Sequence, residues 1–363
     1  MPEKNLTELR DELEHINASL LELLSRRARV VTEVQRLKAQ KNMPTFDPER
    51  EMKMLQELVA RNPGPFPDET VRRLFKEIFR ACVELMQRQK ERALLVSRAS
   101  RAEDLVVRVR GRELGAAPFV IAGPCAVESE EQLEAVAQQA KALGCQLLRG
   151  GAFKPRTSPY AFQGLGAPGL ELLRRVARRH DMVTVSEVMD TRQVALLAEY
   201  VDVLQVGSRN MYNYPLLREL GKARRPVLLK RGLSATLEEF LWAAEYVASE
   251  GNDQLILCER GIRTFETETR NTLDLSAVAL LRQKSYLPVV VDVSHAAGRK
   301  DILAALGRAA LAAGASGLMV EVHPCPAVAR SDSQQQLDLE EFAEFMASVG
   351  LARRLHAAAG AND

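Results

Sequence analysis

Long apolar runs are missing from this 363-residue chain, so no segment offers the roughly 20 consecutive apolar residues of a membrane-spanning helix. A dominant charge is missing too. Lys and Arg number 50 against 48 Asp and Glu, which excludes wholesale binding to nucleic acid or to an anionic membrane and leaves cationic character to local clusters. Cysteine is scarce: Cys82, Cys125, Cys145, Cys258 and Cys325 are odd in number and scattered, a pattern of reduced thiols and not of a disulfide framework. The stretch MPEKNLTELRDELEH lacks the apolar core of a signal peptide. These absences lead us to expect a soluble, cytoplasmic protein. Aromatics are only 5% of the chain, but 46% of its residues are hydrophobic, enough at this length for a sizeable core and two domains.

What is present falls into two textures. From Thr7 to about Lys41, Leu9, Leu13, Ile16, Leu20, Leu23, Leu24, Val31 and Val34 recur at helical spacing without Pro or Gly, predicting one amphipathic helix. At 1.5 Å per residue it would run about 50 Å and need another long helix, a partner chain's included, to pack along. Asp47 and Pro48 open a second helix that ends near Arg61, and Asp68 caps a third. Residues 1–96 therefore read as an all-helical, three-helix dimerising domain. Residues 97–116 hold a polar linker, SRASRAED, and the alternating LVVRVRGRELG of a short hairpin turning at Gly111. Over 117–352, eight apolar runs end in polar residues: FVIAGPCA, QLLRGGAF, MVTVSEV, VDVLQVGSR, PVLLKRG, LILCERG, VVVDVSH and GLMVEVH. Helical segments separate them, which predicts an α/β fold, a parallel (β/α)8 TIM barrel, with an open doubly wound sheet as the alternative. Residues 353–363 are a tail.

In such barrels the carboxyl ends of the strands build the active site. Here those ends carry Cys125, Arg149, Lys154, Glu187, Arg209, Lys230, Arg260, His295 and Glu321. One basic residue at a strand end is ordinarily a solvated rim charge. Five converging from different strands repel one another unless a polyanion sits among them, and arginine forks suit phosphate and carboxylate oxygens. The expected ligand is a small phosphorylated acid. Cys125, His295, Glu321 and Asp332 lack short metal-motif spacing, and each has a bland reading as a core thiol, a satisfied imidazole or a rim carboxylate. The barrel nevertheless puts the first three on strands one, seven and eight, which adjoin around a closed sheet. A mixed S, N and O set suits a catalytic divalent metal.

The motifs GPCAVES, LRGGAFKPRTSPYAFQGLG, VGSRNM, LLKRG, LCERGIRTFE, DVSHAAGRKD and EVHP with SDSQQQL, spread over about residues 105–350, together resemble the 3-deoxy-D-arabino-heptulosonate 7-phosphate (DAHP) synthases of the shikimate pathway. The resemblance implies condensation of phosphoenolpyruvate with erythrose 4-phosphate, using one divalent metal. It places the metal on Cys125, His295, Glu321 and Asp332, a set that admits Mn, Fe, Co or Zn. Arg149, Lys154, Arg209, Lys230 and Arg260 would hold phosphoenolpyruvate, with a backbone contact from Ser208 and polar support from Glu187. Pro155, Arg156 and Thr157 would bind erythrose 4-phosphate, and Lys154 would transfer a proton to the aldehyde oxygen. The 3-deoxy-D-manno-octulosonate 8-phosphate synthases share this barrel chemistry and are the alternative, but their corresponding loop usually has Asn where this chain has Pro155.

On the first helix Arg27 and Lys38 fall about 20° apart, in the middle of the apolar stripe, where unpaired burial is costly. An anionic ligand, snorkelling stems, or pairing with Asp47 and Glu51 would each answer it. Arg10 points about 100° away, so it would serve a site on another helix or subunit. LTELR, LLSRR, Lys38 and FDPERE resemble the all-helical chorismate mutases, whose intertwined dimers lend an Arg across the interface. By that resemblance Arg10, Arg27 and Arg50 bind the carboxylates of chorismate, Lys38 stabilises the ether oxygen on the way to prephenate, and Asp47 and Glu51 complete the site. Two positions depart from the pattern: Met86 stands where relatives generally have a Gln, and Cys82 where stand-alone mutases often have Ser. Two further readings of this domain stay open: a module that senses prephenate or chorismate and inhibits the barrel, and a purely dimerising scaffold. The expected assembly is a homo-oligomer, dimeric through the helices and tetrameric by the resemblance.

Overall fold

The computed structural model describes residues 5–40, 47–92, 94–154 and 158–351. The chain divides into two compact units, Met1–Arg92 and Ala93–Asp363. The first holds three helices: α1 (Leu6–Gln40), α2 (Pro48–Ala60) and α3 (Asp68–Arg92). Asp47 caps α2 by accepting from the Arg50 amide (3.0 Å), and Pro48 fills the first position, where no amide donor is needed. Asp68 does not act as the expected cap. It is the first residue of α3, its carboxylate accepts from Asn62 Nδ2, and the Thr70 and Val71 amides donate to the Pro67 carbonyl. Phe79, Cys82 and Met86 of α3 are buried, whereas Leu9, Leu13, Ile16 and Leu20 of α1 stand exposed.

The second unit is a closed eight-stranded parallel barrel. After a hairpin of β1 (Val107–Val109) and β2 (Arg112–Leu114) come β3 (Phe119–Gly123), β4 (Leu147–Arg149), β5 (Val183–Val188), β6 (Val203–Val206), β7 (Val227–Lys230), β8 (Leu255–Glu259), β9 (Val289–Asp292) and β10 (Gly317–Glu321). All eight apolar runs become strands, and β10 pairs with β3 from Gly317↔Phe119 to Glu321↔Gly123, closing the sheet. Strands such as VVVD are buried throughout because barrel side chains fill one side and the helices cover the other. Between and after the strands run α4 (Glu130–Ala142), α5 (Ala167–Arg179), α6 (Val194–Tyr200), α7 (Tyr214–Lys222), α8 (Leu237–Ala248), α9 (Leu275–Lys284) and α10 (Val293–Ala297).

The hairpin turns on Arg110 (φ 47°) and Gly111 (φ 74°) and lies across the amino-terminal end of the barrel, where Arg110 Nη1 donates to the Met182 carbonyl and the Leu105 amide to that of Tyr286. The polar stretch SRASRAED is docked, not free. Val96 is fully buried, the Arg98 amide donates to the Lys284 carbonyl (2.7 Å), and Ser285 Oγ donates to that of Val96 (2.6 Å), so these residues belong with the barrel.

Gly123 ends β3 with φ 152°, and a Cβ there would lie 1.9 Å from the Arg149 carbonyl oxygen. Only glycine lets β3 and β4 approach this closely at the mouth. Gly123→Ala is expected to destabilise the barrel by about 2 kcal/mol or more. The readout is urea unfolding followed by Trp242, the chain's one tryptophan, on α8; an unchanged midpoint would show that the strands relax freely.

Candidate active site

The carboxyl ends of the strands enclose a cleft of about 300 Å³ lined by Lys154, Glu187, Ser208, Arg209, Lys230, Arg260, His295 and Asp332, and also by Leu233, Arg263, Arg270 and Asn271. Arg149, Cys125 and Glu321 lie beneath it, buried. Pro155, Arg156 and Thr157 lie outside the described residues.

The four mixed donors come together. One ligand atom each from Cys125, His295, Glu321 and Asp332 lies within 4.8 Å of all the others. Cys125 Sγ is 3.1 Å from Asp332 Oδ2, and His295 Nε2 is 3.5 Å from Glu321 Oε1 and 4.0 Å from Asp332 Oδ2. Asp332 has left-handed backbone (φ 49°), an uncommon state for a non-glycine residue that concentrates at functional sites.

Asp292 aims the imidazole. It caps α10 by accepting from the His295 amide (2.9 Å) and also accepts from His295 Nδ1 (2.8 Å), which leaves Nε2 facing the other donors. Its Oδ2 also pairs with Lys230 Nζ. Burial pushes the Asp292 carboxyl up, but His295 and Lys230 outweigh it and hold it well below the usual carboxylate range. Burial likewise pulls the His295 imidazole down, toward the neutral form a ligand needs. Burial, with Glu321 nearby, pushes the Cys125 thiol up to about 12; a cation among the donors would reverse this by stabilising the thiolate. Glu321 sits below the usual range against its burial, held there by His295 and Arg149.

Basic groups interleave with these donors. Arg149 Nη1 pairs with Glu321, and Lys154 Nζ donates to Cys125 Sγ (3.1 Å) and to the Cys125 carbonyl (2.9 Å). Arg270 Nη1 donates to Gln335 Oε1 (2.9 Å) and Asp332 Oδ1 (3.3 Å), and Gln335 Nε2 donates to Glu321 Oε2 (2.5 Å). Arg260 differs from these: it is only 6% exposed, and its Nη1 is buried without a hydrogen-bond partner among the described residues. Burial pulls its guanidinium below its ordinary value, and an anion beside it would favour the charged form.

Behind Arg260, a buried network fixes the β8–α9 loop. Arg231 Nη1 donates to Glu259 and to Asp274, the cap of α9, at 2.9 Å each, and Glu259 Oε1 accepts from the Gly261 amide (2.6 Å). Glu187 accepts from Gln205 Nε2 (3.2 Å) and crowds Gly207, where a Cβ would sit 2.2 Å from Glu187 Oε1.

Sequence reasoning did not find Asp292, Arg263, Arg270, Gln335 or Ser331, whose Oγ lies 3.0 Å from Cys125 Sγ. Asp292 had a signal, the three-residue cap spacing to His295. Gln335 and Ser331 sit within the quoted SDSQQQL.

In the helical unit a separate cavity of about 590 Å³ is lined by Arg27, Lys38, Asp47, Arg50 and Glu51, with Met54, Phe79, Cys82 and Met86 among the rest. Arg27 Nη1 lies 2.7 Å from Cys82 Sγ, and its guanidinium stacks 4.7 Å from the Phe79 ring centroid. Arg10 is exposed on α1, seventeen residues before Arg27 and so about 25 Å along the helix from it.

Two family models match this chain: the DAHP synthetase I family over residues 109–353 and chorismate mutase type II over residues 9–87. A phospho-2-dehydro-3-deoxyheptonate aldolase of Thermotoga maritima is 51% identical over 266 residues, covering 73% of this chain and 79% of that protein. A 2-dehydro-3-deoxyphosphooctonate aldolase of Syntrophotalea carbinolica is 34% identical over 240 residues, covering 61% and 86%. The crystal structure of the Thermotoga maritima DAHP synthase superposes with a TM-score of 0.69 at 50% identity, covering 74% of this chain and 78% of that one. A truncated form of the Thermotoga maritima enzyme gives 0.67 at 48%, covering 73% and 97%.

If Asp292 orients His295, Asp292→Asn should weaken uptake of a divalent cation by about 10–100-fold. Calorimetric titration with Mn or Zn against the parent chain reads this directly; equal uptake would mean that the imidazole is oriented by other contacts.

Proposed function

The chain belongs to the DAHP synthetase I family and carries a chorismate mutase type II segment ahead of its barrel, and from that premise we propose an enzyme with two active sites. The barrel condenses phosphoenolpyruvate with erythrose 4-phosphate, and the helical unit converts chorismate to prephenate. The observation that carries the barrel reading is the buried, unpartnered Nη1 of Arg260 beside a four-donor cluster, a site built for an anion next to a cation. Identity of 51% to a heptonate aldolase against 34% to an octonate aldolase favours the four-carbon sugar.

The donor chemistry fits a divalent metal held by Cys125, His295, Glu321 and Asp332. When bound, that metal supplies Lewis-acid polarisation of the aldehyde. Arg209, Lys230 and Arg260 hold the phosphate of phosphoenolpyruvate, while Arg149 and Lys154 hold its carboxylate. Pro155, Arg156 and Thr157 hold the sugar phosphate by the family pattern. C3 of phosphoenolpyruvate attacks the aldehyde carbon, water adds at C2, and the C2–O bond breaks to release inorganic phosphate. Lys154 delivers a proton to the aldehyde oxygen as it becomes a hydroxyl. These basic side chains fix both substrates in register, which converts a two-substrate encounter into an intramolecular step.

In the helical unit, Arg27 and Arg50, with Arg10 from a second copy, bind the two carboxylates of chorismate, and Lys38 meets the charge developing on the ether oxygen. The exposed stripe of Leu9, Leu13, Ile16 and Leu20 supports pairing of α1 with a second copy in a dimer, and the family pattern extends this to a tetramer. Met86, which lines the cavity without a hydrogen-bond donor, favours a second role for this pocket: binding chorismate or prephenate to restrain the barrel.

Two outcomes follow. Excess chelator should abolish condensation and added divalent metal should restore it, whereas an undiminished rate in chelator would remove the cation from the reaction. For the mutase, the intact chain should consume chorismate while residues 105–363 alone do not, and Met86→Gln should raise the rate by about 100-fold. No consumption by either form would leave the helical unit a sensor or scaffold.

A further inference from the structure

At the end of the barrel opposite the cleft, four arginines converge on a cavity of about 280 Å³. Arg110 reaches in from the β1–β2 turn, Arg174 and Arg178 from α5, and Arg225 from just before β7, and the acidic lining is Glu199 and Asp202. Four guanidinium groups thus face two carboxylates, one of which is already engaged. Asp202 Oδ2 accepts from the Thr184 amide and hydroxyl at 2.9 Å each and lies 3.7 Å from Arg110 Nη1; Glu199 is exposed.

Apart from the Arg110–Asp202 pair, the groups that hold three of these arginines are uncharged and fix their direction. Arg110 Nη1 donates to the Met182 carbonyl (3.1 Å), Arg225 Nε donates to the Ala198 carbonyl (3.0 Å), and the Arg174 guanidinium lies 4.2 Å from the Tyr200 ring centroid. Arg110 also occupies a left-handed position (φ 47°), at a two-residue turn where Asn, Asp or Gly would be relaxed. Strain of this kind is retained where a side chain is needed for something else. A surplus of planar forks around a small cavity is the chemistry that recognises phosphate oxygens.

We propose that this cavity binds a small phosphate-bearing anion, inorganic phosphate or a phosphomonoester, at a site separate from the catalytic cleft. The test is calorimetric titration of the intact chain with inorganic phosphate at ionic strength fixed with chloride. The parent chain should show two classes of uptake, one in the cleft and one here. Arg110→Asn, which suits the turn, should keep or raise the thermal midpoint, keep the condensation rate in phosphate-free buffer, and weaken the second uptake at least tenfold. Arg174→Ala/Arg178→Ala should do the same without touching the turn. Glycerol 3-phosphate serves as the second probe: tighter binding than phosphate identifies an ester as the occupant, and weaker binding identifies free phosphate. A single class of uptake in the parent chain, or a second class unchanged in both variants, overturns the proposal and leaves a patch of solvated charge.

Discussion

Asp292 accepts from three donors, His295 Nδ1, the His295 amide and Lys230 Nζ, while wholly removed from solvent. Burying a carboxylate this way is tolerable only because every oxygen is used and two of its partners can be cationic. Its position matters as much as its charge. Lys230 ends β7 and His295 follows β9, so one carboxylate fixes the cleft's anion-facing side and its metal-donor side relative to each other. Arg260, between them at the end of β8, inherits that frame.

Cations and donor groups at the mouth are interleaved, not segregated. Arg149 with Glu321, Lys154 with Cys125 and Arg270 with Asp332 each place a cation against a donor. Of these, Arg149–Glu321 is a wholly buried ion pair, and such a pair is a weak contributor to stability because desolvation offsets most of the attraction. Apolar residues of equal volume would pack as well. Their presence is accounted for by what the site does, and the strained backbone of Asp332 belongs to the same account.

Much of this was legible in the sequence. Eight buried runs ending in polar residues reported the barrel because parallel strands covered on both sides are written as continuous apolar stretches. Cys125, His295 and Glu321 could be placed together because strand order alone makes the first, seventh and eighth strands neighbours. The roles of Arg270 and Gln335 were not legible, since each reaches its partner across a loop whose path no local pattern encodes. The docking of SRASRAED was hidden for a related reason: the Arg98 amide and guanidinium donate to carbonyls at the end of α9 and at Ser285 just after it, and composition alone reads such residues as solvated. In the helical unit, the pairing of Arg27 with Lys38 followed from helical spacing and the addition of Arg50 and Glu51 from the resemblance, while the Arg27–Cys82 contact depended on how α1 meets α3.

Closure of the barrel through β10 and β3 also has a meaning in time. Cys125 and Asp332 meet although 207 residues separate them along the chain. At ribosomal speed Asp332 is made roughly 10 to 40 s after Cys125. Until then the thiol lacks the Asp332 carboxylate, and the four-donor set does not exist. Joining such distant residues adds little to the thermodynamic cost, because loop-closure entropy grows only logarithmically with length. The order of synthesis thus withholds the full donor set from every chain that stops short of residue 332, by which point all eight strands have been made.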